Sequence, residues 1–215
     1  MLRAALTGGL AAGKSTVGAR LRLLGFPVSD ADRLARAAVA PGTAGLAAVA
    51  REFGSGILTG AGELDRAALA RLVFSDAAAR RRLEAIVHPL VRAAASDFAR
   101  RARADGAEAV VFDIPLLVET GQAGDFDLVA TVAAPEALRL ARAQARGLSE
   151  AEARGRLAAQ ASDAERAAAA DIVLDGSGPV ADLEAQVDSV LAPALRPGLR
   201  PGLRPGLLRR GGGDQ

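Results

Sequence analysis

The sequence predicts an α/β fold: a parallel β-sheet flanked by helices, with a helical insertion early in the chain. Three observations carry this. Short apolar runs with β-branched residues alternate with stretches of helical spacing. The first such run opens into the Gly-rich stretch TGGLAAGKST (7–16), which leads straight into a helical pattern. From about residue 31 to 104, almost every segment carries helical spacing.

Each element has a local reason. Leu2 to Thr7 is an apolar run of strand length, and Val17, Leu21 and Leu24 then recur at helical intervals up to Gly25. FPVSD (26–30) reads as a second short strand. The helical region that follows is punctuated at Pro41-Gly42, at GSGILTGAG (54–62) and at His88-Pro89, where helix breaks are expected. EAVVFD (108–113), DLVATV (127–132) and DIVLD (171–175) are compact apolar runs, as required of strands covered on both faces. Helical patterns separate them at 135–146, 149–160 and 180–191, which implies right-handed crossovers between parallel strands. The C-terminus repeats RPGL three times (196–207). Proline at every fourth position denies both helix and ladder, so residues 193–215 are expected to form a disordered extension.

Composition narrows the function. The 215 residues suit one domain with an insertion, expected here as 1–192. Half are apolar and 24% are charged, a globular balance. The chain contains no cysteine, which excludes disulfides, thiolate zinc sites and thiol redox chemistry. A net charge of +2 gives no nucleic-acid signal. The N-terminal apolar stretch is interrupted by Gly8, Gly9 and Lys14, and no later run reaches the ~18 apolar residues of a membrane span. A cytoplasmic protein is expected, with small-molecule partners, no nucleic acid and no membrane; oligomeric state is not readable.

The loop carries the chemistry. Gly8-x-x-x-x-Gly13-Lys14-Ser15 matches G-x-x-x-x-G-K-[ST] between a strand and a helix, the context that gives the pattern its meaning. Glycines let backbone N–H groups turn toward phosphate oxygens, and the helix N-terminus adds its positive dipole end. Lys14 is the one lysine among 27 basic residues. A compact ammonium on a flexible stem reaches β- and γ-phosphates inside such a loop, where a planar guanidinium does not fit. A GTPase would need a second lysine in its Asn-Lys-x-Asp base-reading motif, and there is none. Asp113 ends its strand but is followed by Ile114-Pro115, unlike the Asp-Glu of motor-type ATPases. A small-molecule kinase is therefore the leading class. The second strand ends in SDAD, where Asp30 is expected to cap the next helix and Asp32 to serve the acceptor. Kinases of other small acceptors, or a non-catalytic nucleotide-binding module, remain open at this point.

The segments TGGLAAGKST, DADRLAR, PGTAGL, EFGSGIL, LDRAALARLVF, LEAIVHPLVR, DIPLLVE and RGLSEAEARGRLAAQ, followed by AADIVL, together resemble the dephospho-CoA kinase family over about residues 2 to 190. The resemblance implies a P-loop kinase core with a helical acceptor-binding insertion (about 31–104) and a lid (about 136–162). It implies transfer of the ATP γ-phosphate to the ribose 3′-hydroxyl of dephospho-CoA, with Mg²⁺. By the same resemblance, Lys14, Asp32 and Arg142 are catalytic, and Gly9, Ala11, Ala12, Gly13, Lys14, Ser15, Thr16 and Arg146 bind ATP. Asp32, Arg36, His88 and Pro115 meet the acceptor, and Ser15 and Asp113 serve the metal. Arg142 and Arg146, four apart, are expected on one helix face. His88 either contacts the acceptor or packs. Ala11 and Ala12 stand where the family's loop usually has Gly and Ser, Arg139 where Gln is common, and Gly176 where Asn is frequent.

Overall fold

Five strands form one sheet in the order β2-β3-β1-β4-β5: β1 (Leu2–Gly8), β2 (Val28–Asp30), β3 (Ala109–Asp113), β4 (Leu128–Ala133) and β5 (Ile172–Asp175). β1 lies at the centre and pairs in parallel with β3 and β4, and β4 pairs in parallel with β5. The computed structural model describes residues 1–196, apart from the side chains of Phe74 and Ser75. Contacts divide the chain into two compact units. The first takes Met1–Val28 and the chain from Ala102 onward, and the second takes Ser29–Arg101.

The first unit explains why its strands read as unbroken apolar runs. Along β1, Ala4 and Leu6 enter one buried cluster while Ala5 enters another, and in β4 Leu128, Ala130 and Val132 oppose Val129 in the same way. Both faces are covered, so the runs are almost wholly apolar, and Thr7 and Thr131 are the polar residues buried within them. The larger cluster is completed by Val17 and Leu21 of α1 (Lys14–Leu23) and Leu183 of α9 (Val180–Gln186). Leu6 and Leu21 are fully buried, so truncating either to Ala would cost about 2–5 kcal/mol. α6 (Glu136–Ala145), α7 (Glu150–Ala158) and α8 (Asp163–Ala169) join β4 to β5. α7 and α8 each begin with a complete capping box, Ser149 with Glu152 and Ser162 with Glu165.

After α9 the chain makes one wide turn (Val187–Leu191) and a last short helix, α10 (Ala192–Ala194). Leu191, Ala194 and Leu195 belong to the main core, Leu195 with 1% of its surface exposed. The domain therefore runs past the expected end at 192, because apolar spacing continues up to Leu195, where the RPGL repeats take over. Residues 197–215, which hold nearly all of the repeats, lie outside the described residues.

The second unit holds α2 (Ala31–Ala38), α3 (Ala44–Phe53), α4 (Arg66–Ser75) and most of α5 (Ala77–Ala104). Asp30, Thr43 and Asp65 cap the first three, each side chain accepting a backbone N–H three residues on. Val39, Val49, Ile57 and Leu69 form its core, packed against Leu83, Ile86 and Val87 of α5. The expected break at His88-Pro89 is absent: α5 passes through Pro89 for 28 residues. Proline removes the donor that would reach the Ala85 carbonyl. Ala85 and Pro89 are both exposed, so the break in the ladder falls on the solvent side, while Ile86 and Val87 hold the helix down on the core.

Candidate functional site

The loop between β1 and α1 is built to receive an anion. Gly13 occupies the N-cap of α1 in a left-handed conformation (φ 117°), so no side chain can cap the helix, and its first turn carries no acidic residue. The orphan N–H groups and the positive dipole end are left for an external acceptor. Gly13 also has no room for a side chain, since a Cβ would stand 2.8 Å from a Leu183 methyl. The Lys14 ammonium is held by an ion pair with the Asp113 carboxylate at the end of β3. Thr16 closes the turn by donating its N–H to the Gly13 carbonyl at 2.9 Å.

Among non-glycine residues described, only Ala11 has a positive φ, 57°. The left-handed region costs a residue with a Cβ about 1–2 kcal/mol. Its methyl is buried against Ala143 of α6 and Ala153 of α7, with Leu10, Leu140 and Leu148 around them. The Ala11 methyl thus adds packing contact between the loop and helices α6 and α7.

A cleft of about 230 Å³ opens over the loop, lined by Gly8 through Ser15 together with Pro115, Arg146 and Gln160. Of the expected nucleotide-site residues, Gly9, Ala11, Ala12, Gly13, Lys14, Ser15 and Arg146 converge here, and Pro115, expected on the acceptor side, joins them. Arg142 and Arg146, expected on one helix face, meet different partners. α6 stops at Ala145, and Arg146 is already its C-cap (φ −92°, ψ 8°) before Gly147 at φ 94°. Arg142 donates to the carbonyls of Gly176 (2.7 Å) and Gly178 (3.5 Å). Arg142 therefore braces the segment after β5, and Arg146 is the arginine on the cleft. In that segment, hydrogen bonds from Ser177 hold the Asp175 carboxyl below its ordinary range.

At Gly9 the loop rests on an ion network around two buried arginines that residue spacing did not reveal. Arg139, 6% exposed, donates through Nε to the Ala134 carbonyl (2.9 Å) and through Nη2 to Asp163 (3.0 Å). Its Nη1 stands where a Cβ on Gly9 would be, 2.2 Å away. Arg166, 1% exposed, pairs with Glu119 (3.0 Å) and lies 3.5 Å from Asp163. Glu119 also accepts the Ala161 N–H at 2.8 Å, and Gln160 accepts the Leu10 N–H at 2.8 Å. Two arginines and two carboxylates thus tie α6, α8 and the segment after β3 to the phosphate loop. The available signal was the pair of S-x-x-E boxes, which mark where α7 and α8 begin.

Hard oxygen donors for a divalent cation are present in Ser15 on the cleft and Asp113 beside Lys14. Among the described residues no group of three or more His, Asp or Glu could hold a metal by itself. A hydroxyl and a carboxylate are the kind of hard oxygens that a cation such as Mg²⁺ takes one or two of, beside substrate phosphates.

In the second unit, Asp30 is the cap of α2, its carboxylate accepting the Arg33 N–H at 3.0 Å. Asp32 and Arg36, one helical turn apart, are both exposed on α2, and His88 is exposed on α5. Of the two readings for His88, core packing is not what the structure shows. No helix among the described residues is long and apolar enough to cross a membrane.

The model of the dephospho-CoA kinase family matches residues 2–182. The chain is 50% identical over 191 residues to the dephospho-CoA kinase of Frankia casuarinae, covering 88% of this chain and 82% of that one. It is 50% identical over 188 residues to that of Anaeromyxobacter dehalogenans, covering 87% and 89%. Among solved structures, TT1252 from Thermus thermophilus superposes with a TM-score of 0.79 at 40% identity, covering 89% of this chain and 96% of that one. Dephospho-CoA kinase from Campylobacter jejuni superposes with a TM-score of 0.67 at 26% identity, covering 88% and 95%.

Proposed function

The chain belongs to the dephospho-CoA kinase family, and from that premise we propose which of its residues carry the transfer of the ATP γ-phosphate to the ribose 3′-hydroxyl of dephospho-CoA. The reaction is the last step of coenzyme A biosynthesis, an ATP-dependent kinase reaction between two small molecules, placed here in the cytoplasm. The observation that carries the reading is the uncapped N-terminus of α1 with Lys14 held by Asp113 beside it.

Phosphoryl transfer asks the protein for position and charge more than for covalent chemistry. Loop N–H groups and Lys14 hold the β- and γ-phosphates, and Arg146 on the cleft offsets charge on the transferring group. Ser15 and Asp113 would hold Mg²⁺, which neutralises charge between the phosphates when bound. Asp32, Arg36, His88 and Pro115 are the residues we assign to the acceptor. With Asp30 committed to capping α2, Asp32 is the carboxylate that orients the 3′-hydroxyl and accepts its proton. Arg142 contributes by fixing the 176–178 segment.

The test is Asp32→Asn, which keeps shape and removes basicity. Turnover should fall about 10²–10⁴-fold while ATP affinity, measured by calorimetry, stays at the parent value. Turnover near the parent's, with both substrates bound, would remove Asp32 from this role.

A further inference from the structure

Gln160 lines the cleft over the phosphate loop, between the end of α7 and the start of α8. Its position is fixed at both ends. The Leu10 N–H, a donor, meets the side chain at Oε1 (2.8 Å), and the next residue's N–H is held by Glu119, which is itself paired to buried Arg166.

A primary amide has one acceptor end and one donor end. Because the Leu10 donor claims the oxygen, the amide cannot flip, and Nε2 with its two hydrogens is the end left over. No acceptor among the described residues takes those hydrogens. They belong to a side chain that shares its cleft with Lys14, Ser15 and Arg146, all suited to anionic oxygen.

We propose that Gln160 is a nucleotide-contacting residue: anchored by Leu10 through Oε1, it donates from Nε2 to a phosphate oxygen of the bound nucleotide. One side chain then links the loop that holds the phosphates to the lid that covers them. A neutral donor adds this contact without a further charge beside Lys14.

The inference rests on nucleotide binding at the loop, which Lys14→Ala tests separately. If Lys14→Ala leaves both ATP affinity and turnover intact, the loop reading itself fails, whatever Gln160 does. For Gln160, two substitutions separate its two ends. Gln160→Ala removes both, and ATP affinity by calorimetry should weaken about tenfold, the range of a hydrogen bond to a charged group. Gln160→Glu keeps an acceptor for Leu10 but replaces the donor with negative charge, so ATP should bind no better than to Gln160→Ala. A role limited to holding the loop predicts the opposite order, with Gln160→Glu restored to parent affinity, and that order would overturn the proposal. So would unchanged affinity in Gln160→Ala. In the parent protein, the ¹⁵N-resolved side-chain amide protons of Gln160 should shift on saturation with ATP. Unmoved resonances would refute the contact independently of whether either variant folds.

Discussion

The Gly9 and Arg139 contact offers a prediction that can be worked through from distances. Gly9→Ala places a methyl 2.2 Å from Arg139 Nη1, whereas ordinary contact begins near 3.4 Å. The guanidinium must move by about 1 Å, and it is pinned by bonds of 2.9 Å to the Ala134 carbonyl and 3.0 Å to Asp163. Such a shift breaks both. A bond to a charged partner contributes about 1.5–3 kcal/mol and a bond to a carbonyl about 1, so Gly9→Ala should cost about 2–4 kcal/mol in urea unfolding. Arg139→Met loses the same two bonds without a clash and should cost a similar amount. Asp163 tolerates the loss, since it is 40% exposed and keeps Arg166 at 3.5 Å. The double variant has no guanidinium to displace, so it should be about as stable as Arg139→Met alone. The cycle then yields a coupling of at least about 1.5 kcal/mol. Additivity within about 0.5 kcal/mol would refute the claim that Gly9 is glycine to admit Arg139.

Two further outcomes follow. Lys14→Arg puts a planar cation where the loop admits a compact one, and kcat/KM for ATP should fall at least about 10²-fold with little change in the melting midpoint. An activity near the parent's would contradict the steric argument. Glu165 caps α8, and its carboxyl lies below the usual range, first because the Ser162 N–H donates to it and second because the Ser162 hydroxyl does. A depressed folded value means the stabilisation is present above about pH 4.3, the ordinary glutamate value, and is lost as pH falls through the folded value. Glu165→Gln should therefore lower Tm at pH 7 and lose that deficit in acid, whereas a deficit independent of pH would contradict the cap.

Much of the fold was legible because its central strands, β1, β3 and β4, are covered on both faces. All five apolar runs became strands within a residue or two, and the Gly-x-x-x-x-Gly-Lys-Ser loop fell between the first of them and α1. Asp30 as the cap of α2 followed from local chemistry alone. Other features depended on what lies across space. Pro89 reads as a break, but the hydrophobic contacts of Ile86 and Val87 carry α5 through it. α8 is only seven residues of mostly Ala and Arg, too short to show a period, although its Ser162 and Glu165 box was visible. Spacing of four could not show that Arg142 takes the carbonyls of Gly176 and Gly178 while Arg146, the C-cap of α6, lines the cleft, because those partners are distant in sequence. The network that buried Arg139 and Arg166 make with Asp163 and Glu119 joins three segments distant in sequence, and in a chain with so many arginines nothing local sets those two apart.

The most direct test of the central claim is acceptor-dependent ADP release by the purified full chain with ATP and Mg²⁺, run across a panel of dephospho-CoA, nucleoside monophosphates, sugars and small hydroxy acids. The account predicts ADP and coenzyme A in equal amounts with dephospho-CoA, and far slower release with every other acceptor. Faster release with another member of the panel, or ATP binding with no ADP released by any of them, would contradict it.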